Sequence, residues 1–195
     1  MNNDLHVYFE SCSRSAPDWI EKGKGLLIVA DIINQELLSI FNDYGPCPPD
    51  EIQPKSIGLM DALMLLLGFS LENAIKGYMV SHKPDYHNIS ELKQYNYNAS
   101  GGHGIHKMIT SNMQDINQIE EEFLHRIEQA LRWAGRYKSP KKYNKNENKI
   151  TGIHPELNTM DYQHGKQLFE KIEKSTIELW DKNEALYYKW LELNR

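Results

Sequence analysis

The sequence predicts an all-α fold, a helical bundle of about four or five main helices joined by long polar loops. Three observations predict it. Apolar residues recur at three- and four-residue steps through several long stretches, the spacing of one helix face. Proline, glycine and asparagine gather between those stretches rather than inside them. No segment of useful length alternates with the two-residue period of a half-buried strand, and there is no internal repeat or low-complexity tract.

Taken in order, Ile20, Leu27, Ala30, Ile33, Leu37 and Phe41 form the stripe of a first helix from about Trp19 to Phe41. Gly45-Pro-Cys-Pro-Pro49 stops it, because proline lacks the amide donor and restricts the residue before it. A second helix, from about Lys55 to His82, is apolar on nearly every side across Leu59–Leu67 and is therefore expected to be the central element. A polar connection runs from Lys83 through Asn96 to Gly102, and a short helix is expected near His103. Asp115 is expected to cap the next helix, whose stripe is Ile116, Ile119, Phe123, Ile127, Leu131 and Ala134, with Gly135 at its end. From Lys138 to Thr159 the composition is that of a long mobile loop. A last helix, from about Asp161 to Leu193, carries Leu168, Ile172, Thr176, Leu179, Leu186 and Trp190 on one face. Leu63, Leu66, Phe123, Ile127, Ile172 and Leu179 are the expected interior.

The 195 residues are expected to form a single domain: an N-terminal helix and Pro-rich loop (1–54), a core (55–137), a basic loop (138–160) and a C-terminal bundle helix (161–195). A net charge of −5 argues against a chain coated in basic surface, so nucleic-acid contact would need a local patch. Two cysteines, Cys12 and Cys47, cannot build a disulfide scaffold or a four-cysteine zinc site. The N-terminus lacks the pattern of a signal peptide, and the longest apolar run, Ala62–Leu71, is about half the roughly 20 residues of a membrane span. The expected setting is the cytoplasm.

Four features could carry chemistry. Glu72 and Lys76 lie one turn apart, immediately after the most apolar stretch; the spacing fits an exposed ion pair, or a carboxylate held at a functional position. Gly101-Gly-His-Gly-Ile-His106 sets His103 beside flexible backbone at a helix start, where amides favour anions. Stepping 100° per residue groups His125, Gln129, Arg132 and Arg136 opposite the apolar stripe. That face leads into Lys138, Lys141, Lys142, Lys145 and Lys149. Between Arg132 and Lys149 there are thus seven basic residues and one acid, Glu147, with Trp133 and Tyr137 as aromatic surfaces.

No metal site and no cofactor are expected. Glu122-Phe-Leu-His125 matches the Glu-x-x-His of helical di-metal centres, and Asp161-Tyr-Gln-His164 matches it loosely. The two further glutamates of such a centre are not identifiable, and His125 points away from the bundle interior. Neither G-x-x-x-x-G-K-[ST], G-x-G-x-x-G nor G-x-S-x-G occurs, which excludes nucleotide and serine hydrolases of those types.

Leu67-Gly-Phe-Ser-Leu-Glu-Asn-Ala-Ile-Lys-Gly77, Gly102-His103 and Arg132-Trp-Ala-Gly-Arg-Tyr-Lys-Ser-Pro140 together resemble the HEPN-like superfamily of bacterial helical-bundle proteins. The resemblance spans roughly residues 55–140. Gly104-Ile after the Gly-His, and Lys138 after Arg-Tyr, depart from the pattern. The resemblance implies a bundle that commonly forms a homodimer, in a superfamily associated with RNA cleavage, nucleotide binding and defence or stress roles. Its ribonucleases place a histidine after an arginine with four to six residues between them, and no histidine occupies those positions after Arg126, Arg132 or Arg136.

The expected function is therefore a module that binds RNA or a nucleotide through Arg132, Arg136 and His103, with Glu72 and Lys76 completing the site. Tyr137, Lys138, Lys141, Lys142 and Lys145 are expected to contact nucleic acid. One alternative is a divergent metal-independent endoribonuclease using His103 or His125 as general acid/base. Another is an interaction protein whose basic loop docks an acidic protein partner.

Overall fold

Ser15 opens the first long helix, α1 (Ala16–Tyr44): its Oγ accepts the Asp18 amide at 3.4 Å, and Pro17 lies in the first turn, where a missing amide costs nothing. Gly45 closes the helix at φ 76°, donating its N–H to Phe41 O at 2.9 Å in a conformation that a Cβ would strain. In this computed structural model residues 11–82, 104–133, 142–144, 149–151 and 160–194 are described, with backbone alone for 132, 133, 142–144, 149–151 and 194. The helices that follow α1 among the described residues are α2 (Gln53–His82), α3 (Ile105–Asn112), α4 (Gln118–Trp133) and α5 (Asp161–Asn194). The protein is an all-α helical bundle.

α2 is the central element. It packs against α1, α3, α4 and α5, and from Leu63 to Ser81 most of its residues are buried. The cause is its nearly unbroken apolar surface, which no single neighbour could cover. Leu63, Leu67, Leu71 and Ile75 meet a core completed by Met108, Ile109, Phe123, Leu124, Ile127, Leu131, Leu168, Phe169 and Ile172. α1 lies close along α2 because Gly23 has no side chain: a Cβ there would stand 2.7 Å from the Phe169 ring and 3.0 Å from Ser70 O. Ser70 Oγ uses the same proximity to donate to Gly23 O at 2.9 Å.

Several sequence expectations are corrected. Asp115 does not cap α4. Asn117 does, its Oδ1 accepting the Glu120 amide at 3.0 Å while Glu120 Oε2 accepts the Asn117 amide at 2.9 Å, a reciprocal capping box. Ile119, in the first turn, is exposed, and Leu124 and Ala130 join the core instead. On α5, Leu179 is only half-buried and Leu186 is exposed; Trp180 and Tyr187 take the inward positions, because a stripe sustained over 34 residues drifts around a straight helix. Leu66 is half-buried against the core.

Two short strands lie within the expected basic loop. β1 (Lys142–Asn144) pairs antiparallel with β2 (Lys149–Thr151), in the register Lys142↔Thr151, Tyr143↔Ile150 and Asn144↔Lys149. Tyr143, Ile150 and Thr151 have strand propensity and flank an Asn-rich segment, a signal masked by the Lys-rich composition. α1 and α2 each contain an 18-residue window, of mean hydropathy 1.3 and 1.4, long and apolar enough to cross a bilayer. Half of the α2 window is buried within the bundle, against 17% for α1.

Candidate functional site

Two clusters of ionisable side chains stand out among the described residues. The first is the pair predicted on α2. Lys76 Nζ donates to Glu72 Oε1 at 2.6 Å, and the side chains are only 15% and 9% exposed. The exposed surface pair that the spacing also allowed is therefore not what forms. Lys76 lies 5.3 Å from the centroid of the Trp19 ring, a cation–π distance, and Trp19 Nε1 is fixed by donating to Ser13 O at 2.9 Å. The neighbouring Gly77 lets α1 approach: a Cβ there would meet Ala16 O at 3.1 Å and Trp19 Cβ at 3.2 Å. Burying such a pair is costly, since desolvation of both charges offsets much of their attraction.

The second cluster was not foreseen. His106, in the first turn of α3, stacks on His125 of α4 with ring centroids 3.9 Å apart and planes inclined by 22°. Glu121, one turn before His125, brings Oε1 to 3.4 Å from His106 Nε2. The donor atoms of His106, Glu121 and His125 all lie within 4.8 Å of one another. Such a group of donors could hold a metal ion. His125 faces away from the bundle interior, as its place opposite the apolar stripe predicts. Its neighbour comes from α3, which covers part of that outer face. Glu122, the residue paired with His125 in the Glu-x-x-His reading, instead accepts from Gln118 Nε2 at 3.0 Å. The legible signal was Glu121-x-x-x-His125, one face of a helix, with a histidine just beyond Gly104.

The looser match, Asp161 and His164, is structural. Asp161 is buried and receives Arg126 Nη2 at 2.6 Å and Nε at 3.3 Å, while His164 meets the Phe123 ring edge-on at 6.3 Å between centroids. A cleft of about 360 Å³ between α1 and α5, lined in part by Ile20, Ile177 and Trp180, contains the ion pair of Lys24 with Glu173.

Of the remaining predicted site residues, Arg132 occupies the last turn of α4 and Lys142 lies in β1, with only their backbones described. His103, Arg136, Tyr137, Lys138, Lys141 and Lys145 lie outside the described residues. Comparison with known family models, curated proteins and solved structures finds no match to this chain.

Proposed function

We propose that this chain is an HEPN-like helical module that binds RNA or a nucleotide, in a bacterial defence or stress role, without cleaving it. The observation that carries the reading is the buried Glu72–Lys76 pair on the central helix, at the place where the resemblance puts its Glu-x-x-x-Lys. A carboxylate and an ammonium held out of water at that position suit the orientation of charged partners better than they suit stability. The class of ligand follows from the basic run that begins with Arg132 on the last turn of α4 and continues through Lys149. Arginine and lysine in series with Trp133 and Tyr137 match a phosphate backbone carrying stackable bases. Absence of the Arg-x4–6-His pair from the sequence favours binding over cleavage.

The homodimer belongs to the same proposal. The face of α1 best suited to a second copy carries Ile28 and Ile32, each 64% exposed, and Val29, 46% exposed. A contiguous apolar stripe of this kind matches the self-complementary patch of a two-fold dimer.

Purification of the full chain without nuclease treatment tests the reading. Nucleic acid or nucleotide should accompany the wild-type protein and be lost from Arg136→Ala. A nucleotide-free protein that instead retains an acidic protein would favour the interaction module, and degradation of added RNA would favour the ribonuclease.

A further inference from the structure

We propose that His106, Glu121 and His125 form a binding site for a divalent transition-metal ion of the zinc type. The donor set is two imidazole nitrogens and one carboxylate oxygen, all within 4.8 Å of one another. Ligands about 2.0–2.2 Å from a tetrahedral ion stand about 3.3–3.6 Å apart. The 3.4 Å between Glu121 Oε1 and His106 Nε2 is that separation. It is long for a charge-assisted hydrogen bond, which closes to about 2.7–2.9 Å. The contact is thus wider than a tight ion pair and about as wide as the gap between two ligands of one ion.

The backbone holds the three donors in place. Glu121 and His125 are four residues apart on α4 and share a face. His106 belongs to the first turn of α3, and its N–H donates to Glu128 Oε2 at 3.0 Å, so the α4 carboxylate just beyond His125 pins the start of α3. Both helices are anchored beneath by fully buried side chains, Ile105, Met108 and Ile109 on α3 and Leu124, Ile127 and Leu131 on α4. The His106 and His125 rings are stacked, so coordination of one ion requires at least one imidazole to turn out of the stack while the backbone stays in place.

The surroundings favour a cation. Glu120, Glu121 and Glu122 follow one another in the first turns of α4, and Glu128 adds a fourth carboxylate. Two of the nearby cations are engaged elsewhere, Arg126 with Asp161 and Lys171 with Glu120 and Asp115, and Lys107, next to His106, is exposed to solvent. Two imidazoles exclude a calcium- or magnesium-type site, whose ligands are oxygens, and select zinc and its first-row neighbours. With Glu121 and His125 exposed, a fourth coordination position faces solvent.

This inference is independent of RNA or nucleotide binding. The test is titration of the metal-stripped full chain, in a Cys12→Ser/Cys47→Ser background, with Zn²⁺ alone against a chromophoric chelator. One equivalent should bind with micromolar or tighter affinity and raise the melting temperature. Glu121→Gln and His125→Ala, both at exposed positions and checked for unchanged helicity, should each weaken binding by about tenfold or more. His164→Ala, outside the cluster, should leave it unchanged. Co²⁺ in place of Zn²⁺ should give visible absorption that His106→Ala abolishes. Failure to bind micromolar Zn²⁺, or equal binding by the His106→Ala/His125→Ala variant, overturns the site.

Discussion

Arg126 grips Asp161 through two contacts at the junction of α4 and α5, Nη2···Oδ1 at 2.6 Å and Nε···Oδ2 at 3.3 Å, with Asp161 buried and Arg126 partly exposed. Asp161 is the first residue of α5, where a carboxylate also complements the positive end of the helix dipole. Removing Arg126 strips a buried carboxylate of both guanidinium contacts. Arg126→Ala should therefore lower stability by roughly 3 kcal/mol in urea denaturation. A loss below about 0.5 kcal/mol would reduce the contact to the standing of an ordinary surface pair.

Tyr162 ties α5 to α1 by donating its hydroxyl to Asp31 Oδ1 at 2.7 Å. Burial, then the hydrogen bond and charge of Asp31, then Glu170, push its phenol well above the ordinary value of about 10. A raised folded-state pKa contributes stability that is complete below the unfolded value and disappears as pH rises through the folded one. The loss therefore belongs to the strongly alkaline range, where Tyr78, raised by burial and by Asp115, adds to it. Tyr162→Phe should cost about 1 kcal/mol at neutral pH and flatten the alkaline decline. An unchanged alkaline limb would refute the linkage.

Gly23 and Gly25 lie on the same helix in opposite surroundings. A Cβ at Gly23 would press on the Phe169 ring and the Ser70 carbonyl, whereas one at Gly25 meets nothing within 4 Å. Gly23→Ala should destabilise by about 1–3 kcal/mol through overpacking. Gly25→Ala should stabilise by about 0.5–1 kcal/mol, since alanine has less backbone entropy to lose. Thermal melts of the two variants check both signs, and equal shifts would contradict the packing of α1 on α2 and α5.

The proposed dimer makes a separate demand on α1. Ile32→Glu places a charge in the exposed stripe of Ile28, Val29 and Ile32, so light scattering should show a dimer replaced by monomer with helicity retained. A wild-type monomer at high concentration, or a variant that still dimerises, would move the interface off α1.

The bundle was legible because helix periodicity survives averaging: Ile20, Leu63, Phe123, Ile127, Leu168 and Ile172 were placed correctly from spacing alone. Caps were less legible, since Asp115 and Asn117 have similar cap propensity and only the reciprocal bond to Glu120 decides between them. The Glu72–Lys76 spacing was read correctly, but its burial depends on how closely α1 approaches at Gly77. The His106–Glu121–His125 cluster was missed because His106 reaches the others through tertiary packing, 15 residues from Glu121 in the chain. An outward-facing histidine is a poor ligand candidate only while no second helix crosses its face.

The central claim is that the basic run after α4 receives RNA. Neutralising Lys138, Lys141, Lys142 and Lys145 removes charge from a stretch that contributes none of the apolar stripes of the bundle. The measurement is a titration of single-stranded RNA at two salt concentrations, comparing wild type with the Lys138→Gln/Lys141→Gln/Lys142→Gln/Lys145→Gln variant. Each phosphate contact releases condensed counterions, with a slope near −0.7 per contact on single strands, so the account predicts weaker binding across sequences and a visibly flatter salt dependence in the variant. Equal affinities and equal slopes, or no binding by the wild type, would contradict it.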